Sequence, residues 1–371
     1  MISKRRVGLI AGIVCVEVLA ALFAYWQVSD GSSRPATGAP QLHVSGNQLV
    51  DAGGQAVVLR GVDRSGGEYS CVHDTGIWDG PMNQASITAM KVWDVNAVRV
   101  PLNEACWNGQ SYVPARYRGL KYRQAVQAYV RLLNRNGIVA ILDLHWTDGA
   151  YQKATCTSAE ALCQKPMPDA AQAIPFWSSV ARTFKGNDAV LFDVFNEPYP
   201  DGGSQAENWD CWLQGGAACA GISYPVAGMQ TLVDTIRAAG SDNVILVGGI
   251  LFANNLSQWL QHEPADPDHN LAASWHSYNF NECVTVTCWD QQIAPIAAKV
   301  PVVATEIGEN NCADSYINPL MIWLDSRSIG YLAWAWNADF PCKSGPGLIT
   351  GYNGRPTPYG SGYQSHLKSL K

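Results

Sequence analysis

Eight times between residues 57 and 337 a short apolar run gives way to a stretch with helical spacing. The runs are 57–63 (VVLRGVD), 97–102 (AVRVPL), 139–146 (VAILDLHW), 189–197 (AVLFDVFNE), 243–249 (NVILVGG), 272–278 (AASWHSY), 301–309 (PVVATEIGE) and 331–337 (YLAWAWN). Most are almost continuously apolar, the pattern of strands buried on both faces of a parallel sheet. Between them, 118–137, 228–240 and 317–328 repeat apolar residues at helical spacing, and the first ends on Asn136-Gly137, a good stop signal. Upstream, 42–61 alternates apolar and polar residues around Gly46-Asn47 and Gly53-Gly54. That alternation predicts a small hairpin capping the rest of the domain. Eight βα units in one chain predict an α/β fold, a (β/α)8 TIM barrel, over residues 41–371. A doubly wound open sheet is the rival, but it needs a Gly-rich phosphate turn after its first strand, and none is present.

Residues 29–40 (SDGSSRPATGAP) read as a flexible linker. Before it, Lys4, Arg5 and Arg6 precede an apolar run over 7–26 broken only by Glu17. Residues 1–28 therefore read either as a signal peptide or as an N-terminal membrane anchor, with the remainder of the chain outside. Of 11 cysteines, Cys15 falls in that run and ten lie beyond residue 70. No Cys/His pair has zinc-ligand spacing, so an even number after an export-like segment reads as disulfides. All ten follow expected strands and would share the end of the barrel where active sites of this fold sit. The pairings this suggests are Cys156–Cys163, Cys211–Cys219 and Cys283–Cys288 within loops, with Cys71–Cys106 and Cys312–Cys342 between neighbouring loops.

Charged residues make up 15% of the 371, with 25 basic against 31 acidic, and no basic block follows the first six residues. Nucleic acid is thereby a poor partner. The 14 tryptophans suggest instead a surface that stacks on flat ligands. At the C-terminal ends of the expected strands stand Arg99, His145, Asn196, Glu197, His276, Tyr278, Glu306 and Trp334. Each alone has a structural explanation, such as a cap, a salt bridge or a satisfied core histidine. Together they put two glutamates on strands that face each other across a barrel mouth. A glutamate pair flanking a scissile bond is what glycoside hydrolysis requires, one protonated and one ionised.

The series Arg99-Val-Pro, Leu-Asp-Leu-His145, Phe-Asn196-Glu197-Pro, His276-Ser-Tyr278, Thr-Glu306-Ile-Gly and Leu-Ala-Trp334 resembles the motifs of the family five glycoside hydrolases, the cellulase-type clan A barrels. The match in order and strand placement runs from about residue 42 to the C-terminus. The resemblance implies that Glu197 is the general acid/base and Glu306 the nucleophile of a retaining double displacement. It implies that Asn196 bonds the 2-hydroxyl of the sugar and that Arg99 and Tyr278 keep Glu306 ionised and aimed. His145 and His276 would bind sugar hydroxyls and orient the acid, and Trp334 would be the stacking floor. Trp336 shares its strand parity. Asp63 stands where many relatives have Asn, and it has no assigned role.

Further aromatics follow strand ends, among them Trp107, Tyr199, Trp212, Trp259, Trp275 and Trp289; Trp146 and Trp209 are the ones expected to touch substrate. No GxSxG elbow, HExxH or P-loop occurs, and no metal or organic cofactor is expected. The reading is an exported, monomeric, endo-acting β-1,4-glucanase whose partner is a polysaccharide or oligosaccharide. A β-mannanase or another β-glucan or xyloglucan hydrolase stands beside it. So do an anchored transglycosylase and an inactive carbohydrate-binding barrel.

Overall fold

The computed structural model describes residues 38–371, except 150, 151, 154, 155, 158–160, 162, 163, 201–206 and 344. Every expected strand forms. In chain order the strands are β1 (Leu42–Ser45), β2 (Gln48–Asp51), β3 (Arg60–Asp63), β4 (Ala97–Asn103), β5 (Val139–Trp146), β6 (Gln152–Lys153), β7 (Cys156–Thr157), β8 (Val190–Asp193), β9 (Ile245–Gly248), β10 (Leu271–Tyr278), β11 (Val302–Gly308), β12 (Gly330–Ala333), β13 (Ile349–Gly351) and β14 (Arg355–Pro356). Strands β3, β4, β5, β8, β9, β10, β11 and β12 pair in that cyclic order, all parallel, and close a barrel.

Alternation along each strand divides the core in two. Ala97, Ile141, Leu191, Leu246, Ala272, Val303 and Leu332 fill the barrel interior, while neighbours such as Val98, Leu142, Val190, Phe192 and Ala304 face the surrounding helices. The hairpin β1–β2 turns at Gly46, whose φ of 60° suits glycine. It closes the end of the barrel away from the expected site. Leu42 and Leu49 join the interior cluster, and the Val44 amide donates to Asn270 Oδ1 at 2.7 Å just before β10. The expected helices form as Leu120–Arg135, Met229–Ala238 and Ile317–Asp325. Gly137, at φ 80°, stops the first as anticipated.

Strand β8 is shorter than its apolar run, ending at Asp193 rather than reaching Glu197. Backbone bonds still tie the chain to the barrel, from the Val194 amide to Leu246 O and from the Asn196 amide to Leu144 O, both 3.1 Å. Pro198, which has no amide to donate, follows at once. Asn196 and Glu197 are thus held at the mouth on a short extension.

Four of the expected disulfides are present at that mouth. Cys71–Cys106 and Cys312–Cys342 join neighbouring loops across 35 and 30 residues of chain; Cys211–Cys219 and Cys283–Cys288 close loops of their own. The pair Cys156–Cys163 involves a residue outside the described ones, as do Cys15 and the segment 1–28. Among the described residues, no helix is long and apolar enough to cross a membrane. Loop-closure entropy for the 35-residue separation of Cys71 and Cys106 is about 3–4 kcal/mol. Replacing both by Ser should lower unfolding free energy by about that amount in a denaturant titration, with a larger loss than for the 5-residue Cys283–Cys288 link.

Candidate active site

Arg99 lies two residues along β4 from the interior Ala97 and points into the barrel, where it is wholly buried. Its Nε donates to Asp193 Oδ2 at 2.9 Å, and Nη1 donates to Glu306 Oε1 at 2.7 Å and Asp63 Oδ1 at 3.2 Å. Nη2 donates to Asn196 Oδ1 at 2.9 Å and sits 3.1 Å from Asp143 Oδ2. One guanidinium therefore meets four carboxylates, from β3, β5, β8 and β11. Asp63, unassigned from sequence, belongs to this cluster.

Burial dominates the aspartates. It pushes Asp143 and Asp193 up to about 7 and Asp63 well above the usual carboxylate range, against the pull of Arg99. Each keeps one oxygen without a hydrogen-bond partner, a state that a neutral carboxylic acid tolerates better than a carboxylate. Burial also lowers His145 to about 4 and His276 to about 3, so both rings are neutral near pH 7. His145 Nδ1 lies 2.6 Å from Asp143 Oδ2, which fixes its ring.

Two glutamates face each other above the cluster. Regular alternation from the interior Val303 would turn Glu306 outward. A register shift between Ala304 and Ile307 lets it follow Thr305 inward, where Thr305 Oγ1 meets Ser274 Oγ at 2.5 Å. The Tyr278 hydroxyl donates to Glu306 Oε2 at 2.5 Å, and with Arg99 it engages both carboxylate oxygens. Glu197, its side chain 29% exposed, has Oε1 3.0 Å from His276 Nδ1. Burial raises Glu197 to about 7, with His145 and Arg99 opposing. One ligand atom each of Glu197, His276 and Glu306 lie within 4.8 Å of one another. They are close enough to share a cation, but both Glu306 oxygens already accept strong bonds.

These residues open on a cleft of about 540 Å³, lined also by Trp334, Phe252, Asn254, Phe280, Asn281 and Glu282. Trp334 stacks on His145, centroids 5.2 Å apart and planes at 13°. Trp336, its rival by parity, is buried against Trp93, because β12 ends at Ala333 and strand alternation stops there. Trp146 is half-buried beside Tyr69 and His73, centroids 6.1 and 6.4 Å away, and does not line the cleft itself.

Trp209 is a correction. It is 3% exposed and packs on Trp212 and His262, in the helix Trp209–Gln214. Its apolar ring is taken up by core packing well past the end of β8, so it does not reach the cleft.

Asp143 and Asp193 were missed from sequence, although each shares the inward parity of the strand that carries it. Phe252 was missed too. It reaches the cleft through three consecutive left-handed residues, Leu251, Phe252 and Ala253, at φ 51°, 60° and 58°. Without a glycine to mark it, that geometry leaves no sequence signal.

A family model described as Cellulase (glycosyl hydrolase family 5) matches residues 50–340. A mannan endo-1,4-beta-mannosidase of Streptomyces lividans is 25% identical over 87% of this chain and 72% of its own length. Endoglucanase 1 of Robillarda sp. is 25% identical over 56% of each. Among solved structures, the beta-glucanase SdGluc5_26A of Saccharophagus degradans superposes with TM-score 0.68 at 19% identity, covering 93% of this chain and 99% of that one.

Arg99→Ala should destabilise the fold by about 3–5 kcal/mol, since it strands buried carboxyls, and a thermal melt would read this. Gly308→Ala probes Tyr278 more gently. A Cβ there would stand 2.4 Å from Tyr278 Cε1 and 3.0 Å from Pro346 Cβ, so the ring must shift, which is expected to disturb its hydrogen bond to Glu306. Loss of a hydrogen bond to a charged group predicts a fall of about tenfold or more in kcat with KM little changed. Unaltered kcat would mean that Tyr278 does not act through Glu306.

Proposed function

We propose that this chain, which belongs to glycosyl hydrolase family 5, is an endo-acting β-1,4-glucanase working by double displacement. The observation that carries the mechanism is the closeness of Glu197 and Glu306, whose oxygens approach within 4.8 Å. Retaining glycosidases keep their carboxyls about 5–5.5 Å apart, whereas inverting ones leave roughly 6.5–9.5 Å for a water.

The roles follow from the surroundings. Glu306, held by Arg99 and Tyr278, is the anion that attacks the anomeric carbon. Glu197, raised to about 7, is the acid that protonates the leaving oxygen and then the base that activates water. Asn196 spends its carbonyl oxygen on Arg99, which leaves its amide N–H groups for the 2-hydroxyl of the bound sugar. Trp334 offers a flat face for that sugar's ring.

The glucan reading draws support from the SdGluc5_26A fold, solved also with cellotetraose, although its 19% identity speaks to architecture first. Mannan is the second reading, favoured by the alignment to the Streptomyces lividans mannosidase along 87% of the chain. We also infer export, which the four disulfides support.

Product release from soluble β-1,4-glucan and β-1,4-mannan, side by side, tests the substrate. Rapid viscosity loss on glucan, absent in Glu306→Ala, is expected; cleavage of mannan alone would keep the mechanism and overturn the glucanase. The pH profile tests the acid. Because its folded pKa is raised to about 7, Glu197 keeps its proton below that pH and loses it above, so kcat/KM should fall on the alkaline side near 7. In Glu197→Gln, an aryl glycoside whose leaving group needs no proton should still release its phenol, without that alkaline limb. A limb that persists in the variant would assign it to another group.

A further inference from the structure

Glu197 stands where the barrel ladder has stopped, because β8 ends at Asp193. Just upstream the chain still pairs with backbone, the Val194 amide with Leu246 O and the Asn196 amide with Leu144 O. At Glu197 the partner changes from a strand to a side chain. The Glu197 amide donates to Gln164 Oε1 at 2.7 Å, and Gln164 Nε2 donates to the Glu197 carbonyl oxygen at 2.5 Å. A side-chain amide sets an acceptor and a donor side by side, as a peptide does. Gln164 therefore exchanges a pair of bonds with Glu197 as a residue on an antiparallel neighbour would. Partners of opposite kind also fix which end of the amide is which.

Gln164 is itself seated, on the connection from β5 to β8. The Tyr199 hydroxyl donates to Gln164 O at 3.0 Å and the Tyr199 amide to Pro166 O at 2.9 Å, so 164–166 runs alongside 197–199. Between them the Lys165 amide donates to Thr147 Oγ1 at 2.9 Å, and Lys165 Nζ bonds Asp169 Oδ2 at 3.0 Å. A third segment adds the Phe252 amide, which donates to Pro198 O at 3.1 Å, and the Phe252 ring, which stacks on Tyr199. The Glu197 carboxyl has its own contact, Oε1 to His276 Nδ1 at 3.0 Å. A glutamate has several rotatable bonds, so a contact at the tip places the carboxyl only if the backbone beneath it is fixed.

We propose that Gln164 is a positioning residue for the acid/base: its side-chain amide stands in for a barrel strand and holds the Glu197 backbone so that the carboxyl meets the glycosidic oxygen. The proposal rests on the double-displacement reading, in which Glu197 gives its proton to the leaving oxygen and later takes one from water. Glu306 is held by Arg99 and Tyr278 instead. Departure of a group that needs a proton thus depends on Gln164, whereas attack of Glu306 on C1 does not.

The test compares two substrates of one sugar. A dinitrophenyl glycoside has a leaving group that departs without a proton, and a phenyl glycoside has one that is helped by it. Both are made as β-cellobiosides and as β-mannobiosides, and the full chain is assayed on the pair that it cleaves. For each, kcat/KM reports formation of the glycosyl-enzyme, and the ratio of the two values does not depend on how much of a variant is folded. Gln164→Met removes both bonds at nearly constant volume. It should lower kcat/KM on the phenyl glycoside by about tenfold or more, while the dinitrophenyl value changes by less than about twofold. Gln164→Ala should move the ratio the same way, which keeps the test decisive if methionine is poorly accommodated. An equal fall on both substrates would make Gln164 a structural residue only, and unchanged values on both would mean that Glu197 needs no such support; either overturns the proposal. Glu197→Gln on the same pair separates this from the mechanism, since it should keep the dinitrophenyl value and lose the phenyl one. Equal effects of Glu197→Gln on both, or a parent chain that cleaves neither sugar, would count against the underlying reading, and the Gln164 proposal would fall with it.

Discussion

A single guanidinium placed on the barrel axis governs the chemistry of this molecule. Arg99 is wholly buried, and burial disfavours its charge, yet four surrounding carboxyls more than reverse that and hold it protonated. The arrangement is sustainable because the carboxyls are not all ionised together. Burial raises Asp63, Asp143 and Asp193, so that protons accumulate on the aspartates beneath. Glu306 takes the shortest of the arginine's contacts and a tyrosine hydroxyl besides.

The difference between the two glutamates is a consequence. Glu306 is provided with two donors, one of them charged. Glu197 has a neutral histidine for its near neighbour and is pushed to about 7. In the proposed mechanism two like residues facing one another thus take opposite tasks, Glu306 as nucleophile and Glu197 as acid and then base. The neutrality of His145 and His276 belongs to the same balance, since a charged ring there would draw the proton from Glu197.

Much of this was legible in the sequence because the barrel obeys two simple periods. Continuous apolar runs identified the eight strands, and polar residues at their ends identified Arg99, His145, Asn196, Glu197, His276, Tyr278, Glu306 and Trp334. Cysteines after the strands anticipated the four disulfides observed. The rest depended on local geometry and electrostatics that those periods do not carry. Glu306 faces inward by a register shift that no residue type announces. Phe252 reaches the cleft through consecutive left-handed backbone without glycine. Trp209 misled because proximity in sequence to a strand end does not survive an intervening helix, whose apolar side must be buried. Asp143 and Asp193 had the right parity, but in apolar strands they looked like exceptions to the core; they are its electrostatic centre.

The division between barrel and loops also explains why reaction and substrate are unequally encoded. In the proposed mechanism the barrel residues address C1, its leaving oxygen and its 2-hydroxyl, and the first two are common to β-linked hexose chains. Glucan and mannan differ in the configuration at C2, so telling them apart falls to the groups around that hydroxyl, while linkage and chain decoration are read further out, on the loops. Loose loops would spend binding energy on their own ordering. Here Cys71–Cys106, Cys283–Cys288 and Cys312–Cys342 tether the loops after β3, β4, β10, β11 and β12, so the residues those loops carry are held before any sugar binds. The same stapling allows exposed aromatic rings to persist at an open cleft, where a mobile loop would fold them inward against the core.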